Sequence, residues 1–284
     1  MATQELLAER FEAHRPHLRA VAYRMLGSLT EADDAVQDAW IRLSRSDTSD
    51  VQNLAGWLTT VVGRVCLDTL RSRTARREAP LEEHLPDPVL SRGDRLDPEA
   101  EALLADSVGL ALLVVLDSLN PAERLAFVLH DSFGVPFEDI AAILERSPAA
   151  AKQLASRARR RVQAAAPTPD PDVSRQRRVV EAFLAAARAG DFEALIDVLH
   201  PDVLLRADRG VTLTKIRGAA AVAGQALTFA RFAYSSDPVL VNGTAGVLST
   251  ADGQPMSLMS FTISAGKILA IDIVADPDRL RRLV

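Results

Sequence analysis

The sequence predicts a multidomain chain: two all-α helical domains, the second with a helix-turn-helix, then an α+β domain with a curved sheet wrapped on helices. Three observations carry this. Phe133 to Ala165, FGVPFEDIAAILERSPAAAKQLASRARRRVQAA, reads as a short helix, a tight Glu145–Arg146–Ser147 turn and a long basic helix. After Ala166 the run PTPDPDV marks a boundary. Beyond it, two helical segments give way to strand-like runs with Asn242-Gly243 and Asp252-Gly253 as tight hairpin signals. The expected divisions are a helical domain over 1–77, a linker over 78–97, the helix-turn-helix domain over 98–166 and the α+β domain over 172–284.

The first helix is expected over residues 5–27, with Phe11, Leu18, Val21, Ala22 and Met25 inward and Gly27 at its end. Thr30 is expected to cap a second helix, TEADDAVQDAWIRLSR, with Asp33 three residues on as a capping-box variant. Its buried stripe is Ala32, Val36, Ala39 and Leu43, which leaves Asp34, Gln37, Asp38 and Arg42 on an outer face. Such a face is a solvated surface or a docking surface for a partner. A polar loop, Arg45–Asn53, leads into a helix from Leu54 with Trp57, Leu58, Val61, Val65 and Leu70 on its core side. Arg64, Arg71, Arg73, Arg76 and Arg77 make a basic stripe there; an aromatic and arginines beside a polar loop suit unpairing DNA as well as a plain charged surface. Cys66, between Val65 and Leu67, reads as a small core residue.

Glu78–Asp97 is rich in Pro and Asp and reads as a linker. Asp97 caps a helix with Pro98 at its first position, and Asn120-Pro121-Ala122-Glu123 repeats the cap before Phe133. In the basic helix Ser147 caps and Pro148 stands where a missing N–H costs nothing. Ala151, Leu154, Ala155, Ala158 and Val162 face inward; Lys152, Gln153, Ser156, Arg157, Arg160 and Arg161 face out, with no acidic residue between Arg146 and Pro169. That pattern suits base edges and phosphates. Past the boundary, Ser174–Ala189 and FEALIDVLH read as helices, the latter capped by Asp191 and stopped at Pro201. Strands are expected over 203–207, 211–216, 239–241, 245–249, 256–263 and 268–274, with a helix over 219–232. Asp276-Pro277-Asp278 opens a last helix carrying Leu280, Leu283 and Val284 on one side.

Composition bounds the function. The chain has 284 residues, 48% hydrophobic, and a net charge of -5, so nucleic-acid affinity must come from local basic clusters. One cysteine excludes a disulfide framework and a cysteine zinc site; no metal or cofactor is expected. The N-terminus lacks an apolar signal core and the longest apolar run, Val108–Leu116, is too short to span a bilayer. The expectation is a soluble cytoplasmic protein with no membrane contact.

TEADDAVQDAWIRL, NLAGWLTTVVGRVCLDTLRSR and LNPAERLAFVLHDSFGVPFEDIAAILERSPAAAKQLASRARRRV, in that order, resemble regions 2 and 4 of extracytoplasmic-function (group IV, sigma-70 family) sigma factors. VVEAFLAAARAGDFEALIDVLHPDVLLRADRG resembles the opening of SnoaL-like domains of the NTF2-like, cone-shaped fold, which one subclass of these factors carries as a C-terminal extension. The resemblance implies an RNA polymerase sigma factor for promoter-specific initiation. Asp34, Gln37, Asp38 and Arg42 would bind the β′ clamp helices of core polymerase, with the β flap as a second polymerase surface. Asp50, Asn53, Trp57, Arg64, Arg71 and Arg73 would open and read the −10 element, and the Pro148–Arg161 helix the −35 element. It further implies regulation in cis through a linker motif, here His84-Leu85-Pro86, a turn after the first strand, here Asp208-Arg209-Gly210, and a tail, here Asp276-Pro277-Asp278-Arg279-Leu280. The linker and turn depart from the subclass wording, which has an aromatic residue before Leu-Pro and a glycine run after Asp.

The cone's pocket leaves room for a small-molecule ligand, and relatives of the fold include enzymes with a pocket Asp as general base. Asp208, Asp272 and His200 are the candidates for such chemistry, but each fits a structural role, so no catalytic residue and no enzyme is expected. The other readings are a one-component ligand-responsive DNA-binding regulator and a polyketide-cyclase-like enzyme fused to a DNA-binding module.

Overall fold

The computed structural model describes residues 2–45, 53–76, 84–91, 109–165, 169–230 and 235–283. The chain forms two compact units: Met1–Leu81 with Glu101–Asp106 and Leu113–Ala165, and Glu82–Ala100 with Ser107–Leu112 and Ala166–Val284. The helices expected as two separate domains, over 1–77 and 98–166, therefore pack as one unit. The described part of the expected linker, residues 84–91, belongs with the sheet.

In the helical unit α1 is Ala2–Leu26, α2 Leu29–Arg45 and α3 Leu54–Arg76. Their core holds Phe11, Leu18, Val21, Met25, Leu43, Leu58 and Cys66, all nearly inaccessible. Burial pushes the Cys66 thiol up to about 12, so it is an inert core group. The start of α2 differs from expectation. Ser28, not Thr30, takes the cap position, its Oγ accepting from Glu31 N at 3.4 Å, and Asp33 pairs with Arg19 instead. Gly27, at φ 71°, ends α1 one residue earlier and leaves Ser28 free for the task.

Leu110–Asp117 is α4 and Pro121–Phe127 is α5, which runs into a π-helical turn over Val128–Ser132. Then come α6, Phe137–Leu144, and α7, Pro148–Ala165. Glu145, at φ 54°, reverses the chain between them, and the Ser147 hydroxyl accepts from Ala150 N at 3.2 Å, as the Ser-Pro pair leads one to expect. On α3, Gly63 permits a close approach: a Cβ there would lie 3.2 Å from Leu129 and 3.4 Å from Ile143. The helix-turn-helix thus packs directly against the helix that bears Trp57 and Arg64.

In the second unit α8 (Val173–Ala189), α9 (Phe192–Val198) and α10 (Ala219–Phe229) lie against a seven-stranded sheet. Strands are β1 Leu90–Ser91, β2 Leu199–Asp208, β3 Leu213–Arg217, β4 Ser235–Val241, β5 Thr244–Ala251, β6 Gln254–Ser264 and β7 Lys267–Val274, in order β1-β4-β5-β6-β7-β2-β3. Among the described strands only β2 and β7 pair in parallel. Register shifts in three of the strand pairs bend the sheet into the expected cone. Its core includes Phe183, Leu195, Val203, Phe261 and Ile271. Turns at Asn242-Gly243 and Asp252-Gly253 have both residues at positive φ, and Ala265-Gly266 makes a third. The strands run longer than the apolar runs suggest, and β2 begins at Leu199, ahead of Pro201. His200 is therefore in a strand, its Nδ1 accepting from Asp202 N at 3.1 Å, and not at a helix end. Pro277–Leu283 forms α11, capped by Asp276, with Leu280 buried against β6. No helix is long and apolar enough to cross a membrane among the described residues.

Candidate nucleic-acid interface and regulatory contact

On α2 the apolar stripe of Ala32, Ala35, Val36, Ala39 and Leu43 is buried, which turns Asp34, Gln37, Asp38 and Arg42 to the surface together. Arg42 also joins Arg45, Trp57, Thr60, Val61 and Arg64 around one depression between α2 and α3. Three arginines and a half-buried indole, with no acid in the lining among the described residues, suit stacking on a base and holding phosphate. Arg45 and Thr60 were not expected at a site, and Val61 was expected on the core side, because only the packing of α2 on α3 brings them to this depression.

The other residues expected at the −10 surface separate. Asn53 caps α3, its Oδ1 accepting from Gly56 N at 3.0 Å. Arg73 is ion-paired with Glu31 and donates to Leu26 O at 3.2 Å, which ties α3 to the α1–α2 corner. Arg71 is exposed, with Asp68 3.9 Å away, and Arg64 donates to Ala142 O at 3.3 Å across to α6. Asp50 lies outside the described residues.

On α7 the expected outer face is outward: Lys152, Gln153 and Arg160 are exposed and Ser156 is half-buried. Among the described residues three of its arginines have acidic partners. Arg157 Nε donates to Glu123 Oε1 at 3.1 Å, and Arg161 Nη1 to Glu123 Oε2 at 2.8 Å. Arg159 Nε donates to Asp131 at 2.7 Å. The Glu123 side chain is 3% accessible while those of Arg157 and Arg161 are 50% and 57% accessible. The acids that balance α7 thus come from α5 and the π-helical turn, about thirty residues upstream. A scan of α7 alone could not find them.

In the sheet unit one buried carboxylate gathers three distant segments. Asp208, wholly inaccessible, accepts from Leu85 N at 2.8 Å, Gly210 N at 2.9 Å and Arg279 Nη1 at 2.5 Å, with His84 Nδ1 at 3.3 Å. Arg279 also donates to Leu85 O and to Asp87, each at 2.8 Å. Burial by itself would raise the Asp208 pKa. The two backbone N–H groups, His84 and Arg279 outweigh it, and hold the carboxyl below the ordinary carboxylate range. Gly210, at φ 85°, is required there: a Cβ would lie 2.0 Å from Asp276 Oδ2. Beyond Leu85, buried Pro86 leads to Val89, which exchanges hydrogen bonds with Asn242, and to β1, which adds to the edge of β4. His84, Leu85, Asp208, Gly210, Asp276 and Arg279, separate in sequence, form one node. Leu81 and Val284 lie outside the described residues.

Asp272 pairs with Arg206 through two hydrogen bonds, 2.5 and 2.9 Å. Burial, only partly offset by Arg206, raises its pKa. A cavity of about 440 Å³ opens on the opposite face of the sheet, lined by alternate residues such as Leu205, Ala207, Ile271 and Ile273. Asp208, Asp272 and His200 are not in its lining.

Comparison with known proteins follows this division. A model of sigma-70 region 2 matches residues 10–76, and one of sigma-70 region 4 matches residues 109–162. The ECF RNA polymerase sigma factor SigJ of Mycobacterium tuberculosis is 39% identical over 287 residues, covering 95% of this chain and 91% of SigJ. The probable ECF RNA polymerase sigma factor SigI of the same organism is 33% identical over 285 residues, covering 99% and 97%. The crystal structure of SigJ superposes with a TM-score of 0.76 at 36% identity, over 96% of this chain and 98% of that one.

Proposed function

The chain belongs to the extracytoplasmic-function RNA polymerase sigma factors, which direct promoter-specific initiation, and from that premise we propose how its surfaces divide the work. Asp34, Gln37, Asp38 and Arg42 bind the β′ clamp helices, with the β flap as the second polymerase surface. The Trp57–Arg64 depression, together with Asp50 and Arg71, handles the −10 element. Lys152, Gln153, Ser156 and Arg157 read the −35 element, while Arg160 and Arg161 hold phosphate. The names of those elements put them about 25 base pairs apart, roughly 85 Å of duplex at 3.4 Å per base pair. In this structure α3 and α6 touch at Gly63, so promoter engagement requires the two readers to part.

The C-terminal unit regulates that step in cis, and the observation that supports this reading is the node at Asp208. It fastens the segment between the two polymerase-binding regions to the sheet, using Arg279 of the tail. A docked segment spans less than a free one, so the node limits how far the readers can separate. The domain acts without catalysis: its candidate base Asp208 is committed to the linker, and Asp272 to Arg206. Work with polymerase and promoter DNA places the protein in the cytoplasm, and the 440 Å³ cavity accepts a small molecule.

The test of the polymerase surface is Asp34→Arg with Asp38→Arg. Both side chains are exposed, so the fold should survive and core binding should be lost. Co-purification of the double variant with core polymerase at the wild-type yield would refute the assignment.

A further inference from the structure

The cavity of the sheet unit is apolar along most of its wall, which includes Phe183, Leu205, Ile216, Ile271, Ile273 and Met259. One row departs from this. Ser236 on β4 stands opposite Ser249 on β5, and Ser249 opposite Ser257 on β6. All three line the cavity, so three hydroxyls cross three strands, about 10 Å at two strand spacings. Ser249 is 4% accessible, and none of the three hydroxyls has a hydrogen-bond partner among the described residues. Each of these hydroxyls belongs to the cavity wall, where it can donate to or accept from a ligand oxygen.

The row continues toward positive charge. One residue past the Asp208–Val274 pair stand Arg209 and Ala275, both in the cavity wall. The Arg209 guanidinium lies over the Phe229 ring, 5.7 Å from its centroid. Phe229 and Met256 are exposed large apolar residues that also line the cavity, which puts its mouth at this end. Arg209 and Arg188 are the charged residues of the lining, and no acid accompanies them there among the described residues.

We propose that the cavity binds a medium-chain aliphatic carboxylate, its alkyl chain among Leu205, Ile216, Ile271 and Met259 and its carboxylate at Arg209 beside the serine row. An apolar body in a pocket of this volume supplies the affinity, and a cation at the rim selects a single anionic head. Arg209 follows Asp208, whose side chain lies on the other face of the same strand end, so the ligand's head sits next to the node that holds the linker. The proposal deepens the reading of the cavity as a small-molecule site and rests on it.

The experiment is isothermal titration calorimetry of the full-length protein with dodecanoate and with dodecan-1-ol. Dodecanoate should bind at one site per chain, at least tenfold more tightly than the alcohol. Arg209→Gln should lower dodecanoate affinity tenfold or more and leave the alcohol unchanged. Ala226→Trp, which fills the cavity from the half-buried face of α10, should abolish both at an unchanged melting temperature; if that variant melts early, Ser249→Leu should weaken dodecanoate binding instead. Absence of binding by either probe would overturn the small-molecule reading itself. Binding of dodecanoate unaffected by Arg209→Gln would overturn the carboxylate assignment alone, and binding that survives both Ala226→Trp and Ser249→Leu would place the ligand outside this cavity.

Discussion

Of the carboxylates that hold arginines in this protein, Glu123 and Asp208 do so in opposite ways. Glu123 and Asp208 are both nearly inaccessible, but the arginines on Glu123 are half exposed while Arg279 on Asp208 is 11% accessible. Water competes for Arg157 and Arg161 and screens their charge, so each pair is weak and exchangeable. Arg279 is fixed by three partners, and Asp208 by two backbone N–H groups besides. The first arrangement keeps arginines oriented yet available to phosphates and base edges. The second makes a latch. On the proposed reading, one type of contact serves recognition or restraint according to how far its cation is withdrawn from water.

Breaking the latch has the largest expected effect. Asp208→Ala strands a buried guanidinium and two backbone donors, and should cost about 3–5 kcal/mol in the sheet unit, read by calorimetry of the full chain. The node also predicts a pH dependence. A carboxyl with a depressed folded pKa stabilises the fold above the unfolded value of about 3.9, and loses that contribution as pH falls through the folded value. Amide protection factors at Leu85 and Val89 should therefore persist at neutral and mildly acidic pH and fall only as pH drops from about 3.9 toward the lower folded value; amides already unprotected at neutral pH would contradict the latch.

The exchangeable site gives smaller effects. Arg157→Ala should weaken promoter binding by about 1–3 kcal/mol and relax one −35 position, measured by binding-site selection. An unchanged −35 preference would remove Arg157 from the base contacts and leave it as a structural partner of Glu123. Glu123→Gln should cost about 1 kcal/mol or less in stability, since the cations it holds are half exposed. Arg160→Ala should weaken all promoters alike and lower the salt slope by about one unit. A promoter-dependent loss would make Arg160 a base reader.

The contrast also marks what a sequence discloses. Capping is local, so Ser147-Pro148 and Asp276-Pro277 could be read directly, and so could the Asn-Gly and Asp-Gly turns. The third hairpin turn, Ala265-Gly266, lacks the Asn or Asp that would have signalled it. The outward residues of α2 and α7 follow from helical periodicity. Their partners do not: Glu123 and Asp131 belong to other elements, and Arg64 and Arg73 satisfy backbone groups that only packing brings near. The members of the node were named by resemblance to a family. Their meeting at one carboxylate, with Arg279 joining the tail to the linker, is a product of tertiary structure.

The central claim is that the node restrains the segment joining the two polymerase-binding regions. Run-off transcription with core polymerase, at matched sub-saturating concentrations of wild type and Arg279→Ala, tests it most directly. The account predicts a several-fold rise in transcript from the variant, because the freed segment lets the two promoter readers separate, with binding to core unchanged. Equal transcript from the two proteins, with amide exchange confirming that Leu85 has been released in the variant, would contradict it.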